Sequence, residues 1–228
     1  MSLDALLVAQ DYTASTAEQK LRMLMGALLD ADWKEALVAR GFGWHVAVGT
    51  FSTPIAGGGN GTILDSDQPE LSIAIPSGTT FIPLRVRVDC QVPLLAADSE
   101  EAEILISVDR TQLADTTAAS GTVETPLNMR TDRIGGCPCP VLSAVTVNLS
   151  PDPVRSMELA HAVALGDFQG TPANAMWTQL MCNYEPLRPP FVVGPAGFNI
   201  YWGGTVAVSG FAAAEFLAIP SSLLTALS

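Results

Sequence analysis

The chain has 228 residues, 48% of them apolar and only 15% charged, with a formal net charge of −12. A typical soluble domain carries about 25% charged residues. Most of a chain this apolar and this poor in charge is expected to be folded, and its acidic excess argues against nucleic acid as the main partner and against electrostatic docking on anionic lipid.

Met1–Asp11 has no basic n-region, so no secretory signal is expected. Without export, Cys90, Cys137, Cys139 and Cys182 are expected as free thiols rather than as a disulfide framework. Residues Thr16 to Arg40 carry a helical period. Leu21, Leu24, Met25, Leu28 and Leu29 form one apolar stripe. Ser15 or Thr16 suits the N-cap, with Glu18 placed as in a capping box. Asp30–Asp32 interrupt the pattern, Trp33, Ala36 and Leu37 resume it, and Gly41 suits its end. Residues 1–40 are therefore read as an N-terminal helical arm, packed on its own domain or docked on a neighbouring subunit.

Beyond Gly41 the period changes. Trp44–Phe51 reads as a strand, and Ala56–Gly61 reads as a flexible turn. That glycine run lacks the Gly-Lys-Ser/Thr of a phosphate-binding loop. Leu71–Ile75 alternates, and Pro76-Ser77-Gly78-Thr79 is a turn. Phe81–Val92 alternates strongly, with Leu84, Val86, Val88 and Cys90 expected on one face and Arg85, Arg87, Asp89 and Gln91 on the other. Further strands are expected at Glu103–Asp109, Val141–Leu149, Met157–Ala164, Trp177–Tyr184, Phe198–Val208 and Ala212–Ile219. Ala114–Thr125 and Thr131–Pro140 read as long loops. About nine strands without helical crossovers exclude a doubly wound nucleotide-binding fold. The expected fold is mainly β, an antiparallel two-sheet jelly-roll sandwich over residues 41–228 with a short helical region ahead of it. The longest uncharged run, between Arg188 and Glu215, is too broken by proline and glycine to be a membrane helix, so no membrane partner is expected.

Candidate chemistry is sparse. The two histidines are His45 and His161. Glu158 and His161 form E-x-x-H, which chelates metal when a helix places i and i+3 together; on the strand expected here they face opposite ways. Cys137-Pro138-Cys139 lacks the spacing of a structural zinc site, and Cys90 and Cys182 are distant in sequence. No G-x-S-x-G marks a hydrolase nucleophile. Glu100, Glu101 and Glu103 read as a solvated turn before a strand, and whether calcium binds there with Asp98 is left open. Asn60-Gly61-Thr62 and Asn148-Leu149-Ser150 match the glycosylation pattern and read as incidental without export. Trp44, Trp177, Tyr201 and Trp202 are the candidates for a sugar platform, against core packing. No catalytic, cofactor-binding or metal-ligating residue is assigned, and no cofactor is expected.

Two stretches carry a resemblance. Pro69–Val88 reads PELSIAIPSGTTFIPLRVRV, and Pro190–Pro220 reads PFVVGPAGFNIYWGGTVAVSGFAAAEFLAIP. The first resembles the P-x-G-T turn, I/V-P-L and alternating strand of virion structural proteins in tailed bacteriophages. The second resembles their closing hairpin, with its G-P-x-G turn and a last strand ending in aliphatic-Pro. The helical stretch ahead of Ala39-Arg40-Gly41 fits the same layout. The resemblance implies a jelly-roll protein that assembles on the phage particle, often as a trimer. The expected function is thus non-enzymatic: a capsid decoration (cement) protein that binds the phage major capsid protein and its own copies as a homotrimer. The acidic charge places it on the outer surface of the head, away from the genome. The alternatives are a carbohydrate- or receptor-binding virion module and a jelly-roll glycoside hydrolase or lyase. The uncharged closing hairpin is expected to be covered by its own core or by a neighbouring subunit.

Overall fold

Runs of β-branched and aromatic residues bounded by glycine and proline build thirteen strands among the residues that the computed structural model describes. Those residues are 33–58, 64–65, 68–93, 99–109, 119–133, 135–147, 155–165, 177–204 and 208–225. Helix α1 (Trp33–Ala39) leads into β1 (Gly43–Val48), β2 (Ile55–Ala56), β3 (Leu71–Ile75), β4 (Thr79–Pro93) and β5 (Ser99–Asp109). Then come β6 (Ala119–Glu124), β7 (Leu127–Asn128), β8 (Val141–Val147), β9 (Arg155–Leu165) and β10 (Trp177–Tyr184). The chain closes with β11 (Val192–Val193), β12 (Ala196–Gly204), β13 (Ser209–Pro220) and the single turn α2 (Ser222–Thr225).

The strands form two antiparallel sheets. The first runs β10-β4-β13-β1-β7, with β11 added to β4 and β2 added to β13; the second runs β6-β8-β3-β12-β5-β9. Eight strands carry the roll, β1, β3, β4, β5, β9, β10, β12 and β13, and β8 and β6 extend the second sheet beyond β3. Within that set the first pairs with the eighth, the second with the seventh, the third with the sixth and the fourth with the fifth. Such concentric pairing, divided over two sheets, is the jelly roll. The expected sandwich is present, and its last two strands lie in the interior of both sheets.

The core is shared by the two inner faces. Val46, Val86, Val88 and Phe216 from the first sheet meet Ile73, Ile104, Ile106, Phe198 and Ile200 from the second. Phe81 ties them together: its ring centroid lies 4.9 Å from Phe198 and 4.9 Å from Phe216. A second cluster sits on the outer face of the first sheet. There Leu37, Val38 and Phe42 cover Ile82, Leu217 and Ile219. The described end of the arm, residues 33–40, thus packs on its own sandwich. The Leu21–Leu29 stripe and the Ser15, Thr16 and Glu18 capping signals lie outside the described residues.

Several expectations are corrected. Leu84 does not share a face with Val86, Val88 and Cys90. The β4–β13 register slips at Glu215/Phe216, which pair with Arg85 and Pro83 and leave Leu84 as the extra residue of a bulge. The bulge reverses the alternation, so Leu84 joins the helix-side cluster while Val86 onward faces the core. Glu100, Glu101 and Glu103 are not in a turn. Pairing with β9 extends β5 back to Ser99 and takes all three into the strand. The stretch read as a loop over 114–125 contains β6, an edge strand on β8. The first strand stops at Val48, because Gly49 adopts φ +66° and Thr50 and Thr53 exchange backbone hydrogen bonds in a turn.

Candidate functional site

The root of the arm is the most constructed surface feature. Helix α1 ends at Gly41, whose φ of +87° suits glycine, and a Cβ there would stand 2.5 Å from Arg133 Nε. The helix's last carbonyls need partners. Arg130 Nη1 donates to Ala39 O at 2.7 Å, Arg133 Nη2 to Arg40 O at 3.0 Å, and Asn128 Nδ2 to Gly41 O at 2.8 Å. Arg130 also pairs with Asp132 and holds its carboxyl below the usual carboxylate range. Two cations at a helix C-terminus also suit its dipole. A cleft of about 270 Å³ opens beside this cap, walled by Phe42, Trp44, Arg133, Pro138 and Pro220.

At the other end of α1, the Trp33 ring stacks on Phe191 with centroids 5.9 Å apart. Both remain open to solvent, at 42% and 49%, and Val193 beside them is 56% exposed. Phe191 immediately precedes β11, which hangs on β4 at Phe81 and Thr80. The stacked pair is left partly exposed where the arm joins the sandwich.

The outer face of the second sheet differs: it is polar yet buried. Ser72, Asn199 and Ser107 lie side by side across β3, β12 and β5. Ser72 Oγ donates to Asn199 Oδ1 at 2.7 Å. Tyr201 adjoins the row, and its hydroxyl is pushed up first by burial and then by Asp109.

Glu70, 2% exposed, is a buried clamp at the sandwich end. Its Oε2 accepts Trp202 N–H at 2.8 Å and its Oε1 accepts the N–H of Gly58, tying the segment after β2 to β12. Burial pushes the carboxyl from 4.5 up to about 8, against the pull of those two amides; Asp65 adds to the rise. Trp202 Nε1 completes the junction by donating to Ile55 O at 3.2 Å.

The residues singled out from the sequence do not converge. His45 lies on β1 opposite Glu215, and Glu158 and His161 lie on β9 opposite Ile106 and Glu103. Among the described residues no three His, Cys, Asp or Glu side chains form a metal-sized group. The four cysteines form no disulfide. Of the aromatic candidates, Trp44, Tyr201 and Trp202 are buried, which removes them from a sugar platform. Trp177 pairs through its backbone with Pro93. Asp98, Asn60-Gly61-Thr62 and Asn148-Leu149-Ser150 lie outside the described residues. Among the described residues, no helix is long and apolar enough to cross a membrane.

Sequence reasoning missed Glu70, the Arg130–Arg133 cap and Phe191. Phe191 had a signal, since Phe191-Val192-Val193 is a short apolar run between prolines and a glycine. Glu70 had none, because its burial arises only when β12 and the segment after β2 close over it. No protein-family model matches the chain, and no curated protein matches it.

Proposed function

We propose that the chain is a non-enzymatic virion structural protein of a tailed phage, a decoration protein that binds the major capsid protein on the outer surface of the head as a homotrimer. The observation that supports this reading most is the exposed Trp33–Phe191–Val193 patch at the root of the arm. The patch lies at Trp33, directly after the residues 1–32 read as an arm. Contacts spread over arm and patch would staple neighbouring capsid subunits against the pressure of packaged DNA. The acidic surface keeps the protein off the genome.

The cut that tests this falls after residue 32 rather than after residue 40, because Leu37 and Val38 cover the sandwich. The chain lacking residues 1–32 is expected to fold and to lose binding to phage heads from which the protein is absent. Normal occupancy by the truncated chain would sink the arm mechanism. The sugar-binding alternative has lost three of its four aromatic candidates to the interior.

A further inference from the structure

We infer that Ser107, Asn199 and Tyr201 together hold one buried water molecule on the outer face of the second sheet. The core takes Phe198, Ile200 and Trp202 of β12, Ile73 of β3, and Ile106 and Val108 of β5. Alternation therefore turns Asn199, Tyr201, Ser72 and Ser107 to the other face. The register sets Asn199 between Ser72 on β3 and Ser107 on β5. Tyr201 is the next outward residue of β12. Ser107 stands on its diagonal, a separation of ~7–8 Å that an aromatic side chain spans. Ser107, Asn199 and Tyr201 are only 0%, 1% and 2% exposed.

Ser72 Oγ donates to Asn199 Oδ1 at 2.7 Å. That bond fixes the amide: its oxygen faces β3, and Nδ2 with two N–H donors is left for the β5 side. Asn199 Nδ2, the Ser107 hydroxyl and the Tyr201 hydroxyl are closed off from solvent and make no hydrogen bond to any described residue. Each group left so forfeits its hydration without return. One water repairs all three, since a buried water makes about three hydrogen bonds to groups of this kind. Donors and acceptors match. The water accepts from Asn199 Nδ2 and from the Tyr201 hydroxyl, which burial keeps protonated, and it donates to Ser107 Oγ. Charged occupants fit worse. A cation would meet the donor edge of the Asn199 amide, and an anion would meet the carboxyl of Asp109, buried at the next outward position of β5. The water thus links β12 to β5 as Ser72 links β12 to β3, fastening an interior strand of the sheet on both sides.

The test joins a high-resolution crystal structure of the unaltered full-length chain to water–protein nuclear Overhauser measurements in solution. One density peak is expected about 2.7–3.2 Å from each of Ser107 Oγ, Asn199 Nδ2 and Tyr201 Oη. In solution the Asn199 side-chain amide protons should show a cross-peak to a long-lived water. Ser107→Val, whose methyl groups fill the site, should lose that cross-peak, whereas Tyr201→Phe, which leaves two of the three partners, should keep it. A cross-peak that persists in Ser107→Val overturns the site. The unaltered chain decides even if neither variant folds. Direct hydrogen bonds among the three side chains with no peak between them overturn the inference, and so does a peak whose contacts are all shorter than hydrogen bonds, the mark of a metal ion.

Discussion

The closing strands β12 and β13 and the Trp33, Phe191 and Val193 patch beside the arm are both apolar, yet they meet opposite fates. All nine residues of β12 are buried, and β13 buries Ala212, Ala214, Phe216 and Ala218 toward the core and Leu217 and Ile219 under the arm. The jelly-roll wrap places these last two strands in the interior of the two sheets, so the chain itself covers them. Trp33, Phe191 and Val193 sit where the wrap ends, and the described residues leave them open. Apolar side chains therefore have two fates: within the wrap they form the core, and at its margin they stay exposed.

Substitution separates the two regions. Phe198→Ala in β12 removes a ring that touches Phe81 in the middle of the core, and a loss of about 3–5 kcal/mol is expected in urea unfolding. The Glu70 clamp comes next. Its carboxyl is raised from 4.5 to about 8 on folding, so the folded state binds the extra proton between those values. That contribution is fully present below 4.5 and is lost as pH rises through about 8. Unfolding followed from pH 5 to pH 9 is expected to show stability falling by a few kcal/mol toward the alkaline end. Glu70→Gln flattens that slope, at a constant cost of about 1–3 kcal/mol, because its amide must face a backbone N–H. A slope unchanged in the variant would mean that another group titrates.

The arm's cap should respond less. Gly41→Ala forces a side chain into the left-handed region and against Arg133, and about 1–2 kcal/mol is expected from the thermal midpoint. Phe191→Ser is the smallest. On an exposed surface it should move the unfolding free energy by no more than about 0.5 kcal/mol. A large loss there would make Phe191 part of the core and erase the contrast between the two regions.

Much of the sandwich was legible in local patterns. The Pro76–Thr79 turn, the span of β10 and the stop at Gly41 follow from turn chemistry and alternation that act within a few residues. The two-residue strands β2, β7 and β11 were not legible, because two residues have no period. Strand β6, Ala-Ser-Gly-Thr-Val-Glu, is polar and owes its existence to pairing with β8. The Leu84 bulge has a local signal in Pro83, because a proline inside a central strand marks a bulge, but its register is set by the partner strand. The exposed patch was half legible: Trp33 stood out as helical continuation, but its stacking on Phe191 needs residues far apart in the chain to meet.

The central claim, that the open margin is the surface by which this protein joins a phage head, is tested most directly by titrating heads that lack it with the full-length chain and with the Trp33→Ser/Phe191→Ser variant. The intact chain should saturate the heads, while the variant, with its cooperative unfolding retained, should bind about tenfold more weakly, roughly 1.4 kcal/mol. Equal binding by both, or no binding by the intact chain, would contradict the account.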